Sequence, residues 1–158
     1  MSTLIVYSSK HGCTESCARE LKEKLSNNTT MIAAKEQKKF DWQDFDTILI
    51  GGSVYAGMIQ SSIQKFCHRH FKELMQKNVG LFVCCMYKND KAKEQFEKAF
   101  SKELRDHAKA RGIFGGAINF EKMNVLEKAI IRKVTGVTES ISNINHKAID
   151  DFVKALRN

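Results

Sequence analysis

The stretch Thr3-Leu4-Ile5-Val6-Tyr7-Ser8-Ser9-Lys10-His11-Gly12-Cys13-Thr14 decides the fold. Thr3 to Tyr7 is a short apolar run rich in β-branched residues, the composition of a strand buried on both faces. From Cys13 to Ser26 the period changes. Cys17, Ala18, Leu21 and Leu25 recur at spacings of three or four, which predicts a helix with one apolar face. The small polar residues between them form a loop that runs straight into a helix N-terminus. First-turn N–H groups there have no partner and the helix dipole is positive, so the loop favours an anion. Ser9 and Thr14 offer hydroxyls, Lys10 adds charge, Gly12 lets the backbone approach a phosphate, and Cys13 offers its backbone N–H. Ordinary capping of the helix by Ser or Thr is the other reading of the same hexapeptide. Neither the Walker spacing nor Gly-x-Gly-x-x-Gly occurs, which argues against nucleoside triphosphates and the usual NAD site.

Outward from this unit, short apolar runs alternate with longer helical segments. Strands are expected at Thr30 to Ala34, Asp46 to Ser53, Val79 to Met86 and Gly112 to Phe120. Helices are expected over Ser61 to Gln76, Lys91 to Ala110 and Ile144 to Leu156. Asn124 to Val134 adds an amphipathic helix with Leu126, Ile130 and Val134 on one side. The alternation predicts an α/β sandwich of βαβ units with right-handed crossovers. A five-stranded parallel sheet in the order 2-1-3-4-5 places its ligand past the carboxyl ends of strands one and three. Two further loops open at that edge, Ser53-Val54-Tyr55-Ala56-Gly57 and Cys85-Met86-Tyr87-Lys88-Asn89. A flat ring lodged between them would meet Tyr55 and Tyr87, whose faces suit stacking.

The 158 residues fit one domain, with no proline and no linker-like segment. The formal charge of +8 points to an anionic partner, but no nucleic-acid-binding motif accompanies it. Five cysteines give no even disulfide framework, and the N-terminus shows no export signal, so a reduced cytoplasmic protein is expected. No metal site is expected: Cys13 and Cys17 share a helix face without a matching pair, and Cys84 and Cys85 point to opposite faces of a strand. His68 and His70, two apart on a helix, do not face each other. No side chain is assigned general acid or base chemistry. A signalling receiver domain needs an acidic pair after the first strand, where this chain has Tyr7-Ser8.

Ser9 to Thr14 resembles the phosphate loop Ser/Thr-x-Thr-Gly-x-Thr of the flavodoxin superfamily, with His11 in place of the middle threonine. The similarity is closer to the flavodoxin-type, menaquinone-dependent protoporphyrinogen oxidases. Their Ser-Thr-Arg-Asp-Gly-Gln-Thr resembles Ser8 to Thr14, and their Ile-Gly-Ala-Ser-Ile before Tyr-Gly resembles Ile50 to Gly57. A basic helical insert after the fifth strand is similar to residues 124–138. The resemblance spans essentially the whole chain.

It implies a flavodoxin-like three-layer sandwich with that insert. It also implies FMN held non-covalently by Ser9 to Thr14, Ser53 to Gly57 and Cys85 to Asn89. Porphyrinogen would give electrons to FMN, and a quinone or a redox partner protein would take them. The insert, poorer in aromatics than the oxidase version, carries Lys122, Lys128, Arg132 and Lys133. These would guide porphyrinogen carboxylates or set residues 122–135 against anionic lipid at the inner face of the cell membrane; the other reading is a plain surface helix with its apolar face on the sheet. A soluble electron carrier is the alternative. In either role, Lys10, Lys88 and the net positive charge favour the anionic reduced flavin and raise its potential.

Overall fold

The computed structural model describes every residue except Gln37 and Val137, the latter inside the expected insert; the side chains of Val134 and Thr135 also lie outside the description. Strand β1 (Thr3–Ser8) pairs in parallel with β2 (Thr29–Ala33) on one side and β3 (Thr47–Tyr55) on the other. A two-residue strand, β4 (Met58–Ile59), folds back antiparallel onto the end of β3. Beyond β3 come β5 (Asn78–Cys84) and β6 (Ala110–Ile113), both parallel. The order β2-β1-β3-β5-β6 is the expected 2-1-3-4-5 once the short β4 is set aside.

The period of two along each strand sorts the core into two layers. Leu4, Val6, Ile48, Ile50, Leu81 and Val83 face one side. They are covered there by α2 (Ser61–Arg69), α3 (Phe71–Leu74), α4 (Asn89–Ala99) and α5 (Lys102–His107). Ile5, Leu49, Phe82 and Cys84 face the other, under α1 (Cys13–Lys24) and α7 (His146–Arg157). Burial on both faces explains why the strands read as continuous apolar runs. On the α7 side, Phe82 stacks on Phe114 at 5.0 Å and Phe152 meets Phe114 edge-on at 5.3 Å. Gly51, Gly80 and Gly112 make the room, since a Cβ at any of them would collide with one of these rings.

Three expected elements are interrupted. The helix over Ser61 to Gln76 breaks at His70, whose ring packs on Trp42 and Phe66 at 5.2 and 4.9 Å. The helix over Lys91 to Ala110 breaks at Phe100, because Ser101 caps α5 by accepting the Leu104 N–H. The strand over Gly112 to Phe120 is two strands. Gly115, at a φ of 75° that favours glycine, turns the chain out of the parallel sheet. The departing β7 (Gly115–Ile118) pairs antiparallel with β8 (Ile141–Ile144), a strand between the expected insert and the last helix where none was expected. Helix α6 (Val125–Thr135) rises between β7 and β8, capped by the Asn124 side chain and closed by Gly136.

Removing the Phe152 ring leaves a cavity where α7 meets the sheet. Phe152→Ala should lower stability by about 3–5 kcal/mol in urea denaturation, and a loss under about 1 kcal/mol would show that this aromatic stack does not hold α7.

Candidate functional site

The site grows from the turn between β1 and α1. Gly12 stands at φ 90°, and no side chain caps α1. Ser9 Oγ accepts the Gly12 N–H at 3.0 Å, so it braces the loop and leaves the helix end open. Thr14 Oγ1 is bonded to Ser53 Oγ at 2.6 Å, which ties the helix to the end of β3. The capping alternative therefore fails: neither hydroxyl caps α1. Positive charge gathers over the opening. Lys122 Nζ lies 3.0 Å from where a Cβ on Gly12 would be, and Lys10 Nζ sits 4.4 Å from the Tyr55 ring centroid. One acid answers them, with Glu127 Oε2 2.8 Å from His11 Nε2. Neither atom has a hydrogen-bond partner among the described residues, and the contact is an ion pair only when His11 is protonated.

All three expected loops converge. Lys10, His11 and Cys13 line one crevice with Ser53, Val54, Tyr55, Cys85 and Met86. A second crevice beside it is lined by Val54 to Gly57, Met86 and Tyr87. The Tyr55 loop is tighter than expected, for Ala56 and Gly57, both at positive φ, close a hairpin between β3 and β4. Lys88 and Asn89 line neither crevice. They are exposed at the start of α4, while Lys91 Nζ lies 4.0 Å over the Tyr87 ring.

The crevices are narrow, about 70 and 50 Å³, whereas small-molecule pockets usually begin near ~300 Å³. Their fourth wall is the insert. Ile118, Phe120, Met123 and Ile131 form a small core of their own against Tyr55 and Met86. The apolar side of α6 is the expected one only in part, for Ile130 lines the second crevice beside Ile131. Leu126 is 70% exposed, Ile131 points in, and the Val134 side chain lies outside the described ones. Sequence reasoning also missed Gly116, Ala117 and Ile118 of β7, which complete the first crevice. The Gly115-Gly116 pair was the available signal, since paired glycines interrupt strands.

Beneath the loop, Cys84 joins Cys13 and Cys17, their sulfurs within 4.8 Å of one another. The sequence pattern separated these residues; the α1–β5 contact unites them. Hydrogen bonds from Cys17 and Cys84 bring the Cys13 thiol down to about 4. The reciprocal bond with Cys13 pushes Cys17 up to about 12 and raises Cys84 as well.

A model of the flavodoxin domain matches residues 4–145. The chain belongs to this family. Among curated relatives, this flavodoxin is 21% identical over 144 residues to the protoporphyrinogen IX dehydrogenase [quinone] of Leishmania major, covering 85% of this chain and 62% of that protein. The fold resembles that of a flavodoxin, WrbA-like protein from Agrobacterium tumefaciens at 16% identity (TM-score 0.58), covering 99% of this chain and 97% of that one. It also resembles the Trp repressor binding protein of Bacillus subtilis at 10% identity (TM-score 0.58), covering 99% and 100%. An FMN-complexed flavoprotein from Lactobacillus acidophilus matches at 18% identity (TM-score 0.50), covering 73% and 91%.

Burial lowers the His11 pKa below its usual value, outweighing the pull of Glu127. An imidazole more acidic when folded stabilises the fold fully above its unfolded pKa of about 6.5 and loses that contribution as pH falls through the folded value. His11 should therefore titrate below about 6.5 by NMR, and His11→Asn should flatten the loss of thermal stability on acidification. A midpoint above about 6.5 would show that Glu127, not burial, governs the ring.

Proposed function

We propose that this flavodoxin binds FMN at the open N-terminus of α1 and serves as a redox protein. The carrying observation is an uncapped helix end, at a left-handed glycine, under Lys10 and Lys122. The phosphate half of the cofactor fits here: the first-turn N–H groups donate, Ser9 adds a hydroxyl, the lysines supply charge, and the Thr14 hydroxyl would join by exchanging its bond to Ser53 for one to the phosphate. The ring half fits once the insert lifts. Tyr55 and Met86 would then flank the ring, and the buried Tyr55 hydroxyl, which has no hydrogen-bond partner among the described residues, would gain one. Bound FMN supplies one- and two-electron transfer. The chain's part is to position it, exclude water through the insert, and favour negative charge on the reduced ring through Lys10 and Lys122.

Adding FMN to flavin-free protein should produce a bound-flavin visible spectrum and raise the His11 midpoint as the phosphate arrives. A hydrogen bond to a charged group contributes about 1.5–3 kcal/mol, so Thr14→Ala should weaken binding about 10- to 100-fold by fluorescence titration. Protein that stays colourless in excess FMN would end this reading.

The substrate side of the proposal is oxidation of a porphyrinogen with delivery of electrons to a quinone. Its support is the distant Leishmania relative together with the make-up of the insert. Lys122, Arg132 and Lys133 are exposed there, beside Val125 and Leu126 at 85% and 70% exposure. No described helix is long and apolar enough to cross a membrane. The insert would instead rest its apolar tip on anionic lipid, where quinone is at hand. Leu126→Glu should reduce co-sedimentation with anionic vesicles several-fold while FMN binding stays intact. Turnover with a ferredoxin-type reductase but none with protoporphyrinogen would make the protein an electron carrier instead.

A further inference from the structure

Three of the five cysteines converge on one point of the core. Cys13 and Cys17 stand four residues apart on α1, and Cys84 reaches them from the end of β5. Their sulfurs lie within 4.8 Å of one another, with Cys17 Sγ 3.6 Å from Cys84 Sγ. The group is buried, at 9%, 1% and 3% exposure for Cys13, Cys17 and Cys84. Ile5, Ala18, Leu21 and Leu49 belong to the same apolar layer. Among the described residues no histidine or carboxylate joins the group.

Metal–thiolate bonds run about 2.3 Å, so three of them in a plane set the sulfurs about 4.0 Å apart. The present spacing needs shifts of under about 1 Å to reach that arrangement. Zinc in closed sites takes four ligands, and among the described residues no histidine or carboxylate stands by as a fourth. Soft thiolates with no harder donor beside them suit Cu(I). We propose that Cys13, Cys17 and Cys84 form a three-coordinate site for a soft monovalent cation, Cu(I). The ion enters through the first crevice, whose wall includes Cys13 and Cys84. Binding sends the thiol protons to solvent. The negative charge left on sulfur faces the positive end of α1 and the Ala117 N–H, which hydrogen-bonds Cys13. The site does not depend on the FMN reading.

The intact, reduced chain, its flavin content measured beforehand, is titrated anaerobically with Cu(I) against a colorimetric Cu(I) chelator. One ion per chain should be held. Cys17→Ala and Cys84→Ala should each lose affinity by more than about 10-fold, since even outer-shell partners are worth that much. Cys67→Ser, altered on α2 away from the cluster, should match the parent chain. X-ray absorption of the copper-loaded parent should show three sulfurs and nothing lighter, a readout independent of whether the variants fold. No retained copper, equal retention by both alanine variants, or nitrogen or oxygen in the first shell overturns the proposal.

Discussion

The turn at Gly12 is the constraint on which the carboxyl edge of the sheet depends. At φ 90° it ends the four-residue turn Ser9 to Gly12 and swings the chain into α1, which begins without a capping side chain. A β-branched residue would be strained there. The Thr14 hydroxyl is already engaged with Ser53. The Ser53 N–H in turn donates to Gln60 Oε1 at 2.9 Å, which ties β3 to the start of α2. A Cβ on Gly52 would strike that same Gln60 oxygen and Ile59. The open helix end is therefore fixed against three elements at once, and an anion meets a rigid cradle rather than a loop that must first be ordered.

Against that rigid edge stands an insert with a second preference. Glu127 brings a carboxylate to His11, and Ile131 with Met123 fills the space beside Tyr55. In effect the insert supplies a weak substitute for both parts of an amphipathic anion: one charge near the basic loop and one apolar plug between the aromatic loops. A ligand admitted here competes with the protein's own side chains. Its apparent affinity is its intrinsic affinity reduced by the fraction of molecules in which the insert stands open. That same insert, once closed over a bound ring, would exclude water. Closure and affinity are thus set against each other by one small apolar cluster, and the exposed Val125 and Leu126 lie on the opposite side of the same helix.

Most of the architecture was legible because it rests on local rules. The run Thr3 to Tyr7, the period change at Cys13 and the glycine between them identify the unit that sets the fold, and the parallel sheet follows from the alternation after it. What escaped was decided by competition between local options. Ser101 prefers a cap to a helix interior, so one helix became two. Gly115 admits a left-handed turn, so one strand left the sheet and found β8 as a partner. The three loops that line the crevices were readable as loops, since glycines and polar residues mark them. The fourth wall was not, because Ile131 rather than Leu126 turns inward. The helical period allows either, and only the tertiary pocket formed by Tyr55 and Met86 chooses.

The thiol cluster was illegible for a related reason, and its position matters more than its novelty. Spacing along the chain separates Cys84 from Cys13 by dozens of residues, and only the packing of α1 over β5 closes that gap. Cys13 would then belong to both proposed sites at once. Its backbone N–H opens on the anion cradle, while its sulfur turns down into the cluster. Loading the cluster would exchange three thiol protons for a single positive charge, so it would weaken the positive potential at the helix end above it, and an anion above would disfavour the loaded cluster below. Such coupling is reciprocal for binding free energies, whatever its size. The first residue of α1 is thus where electrostatics at the surface and chemistry in the core of this flavodoxin meet.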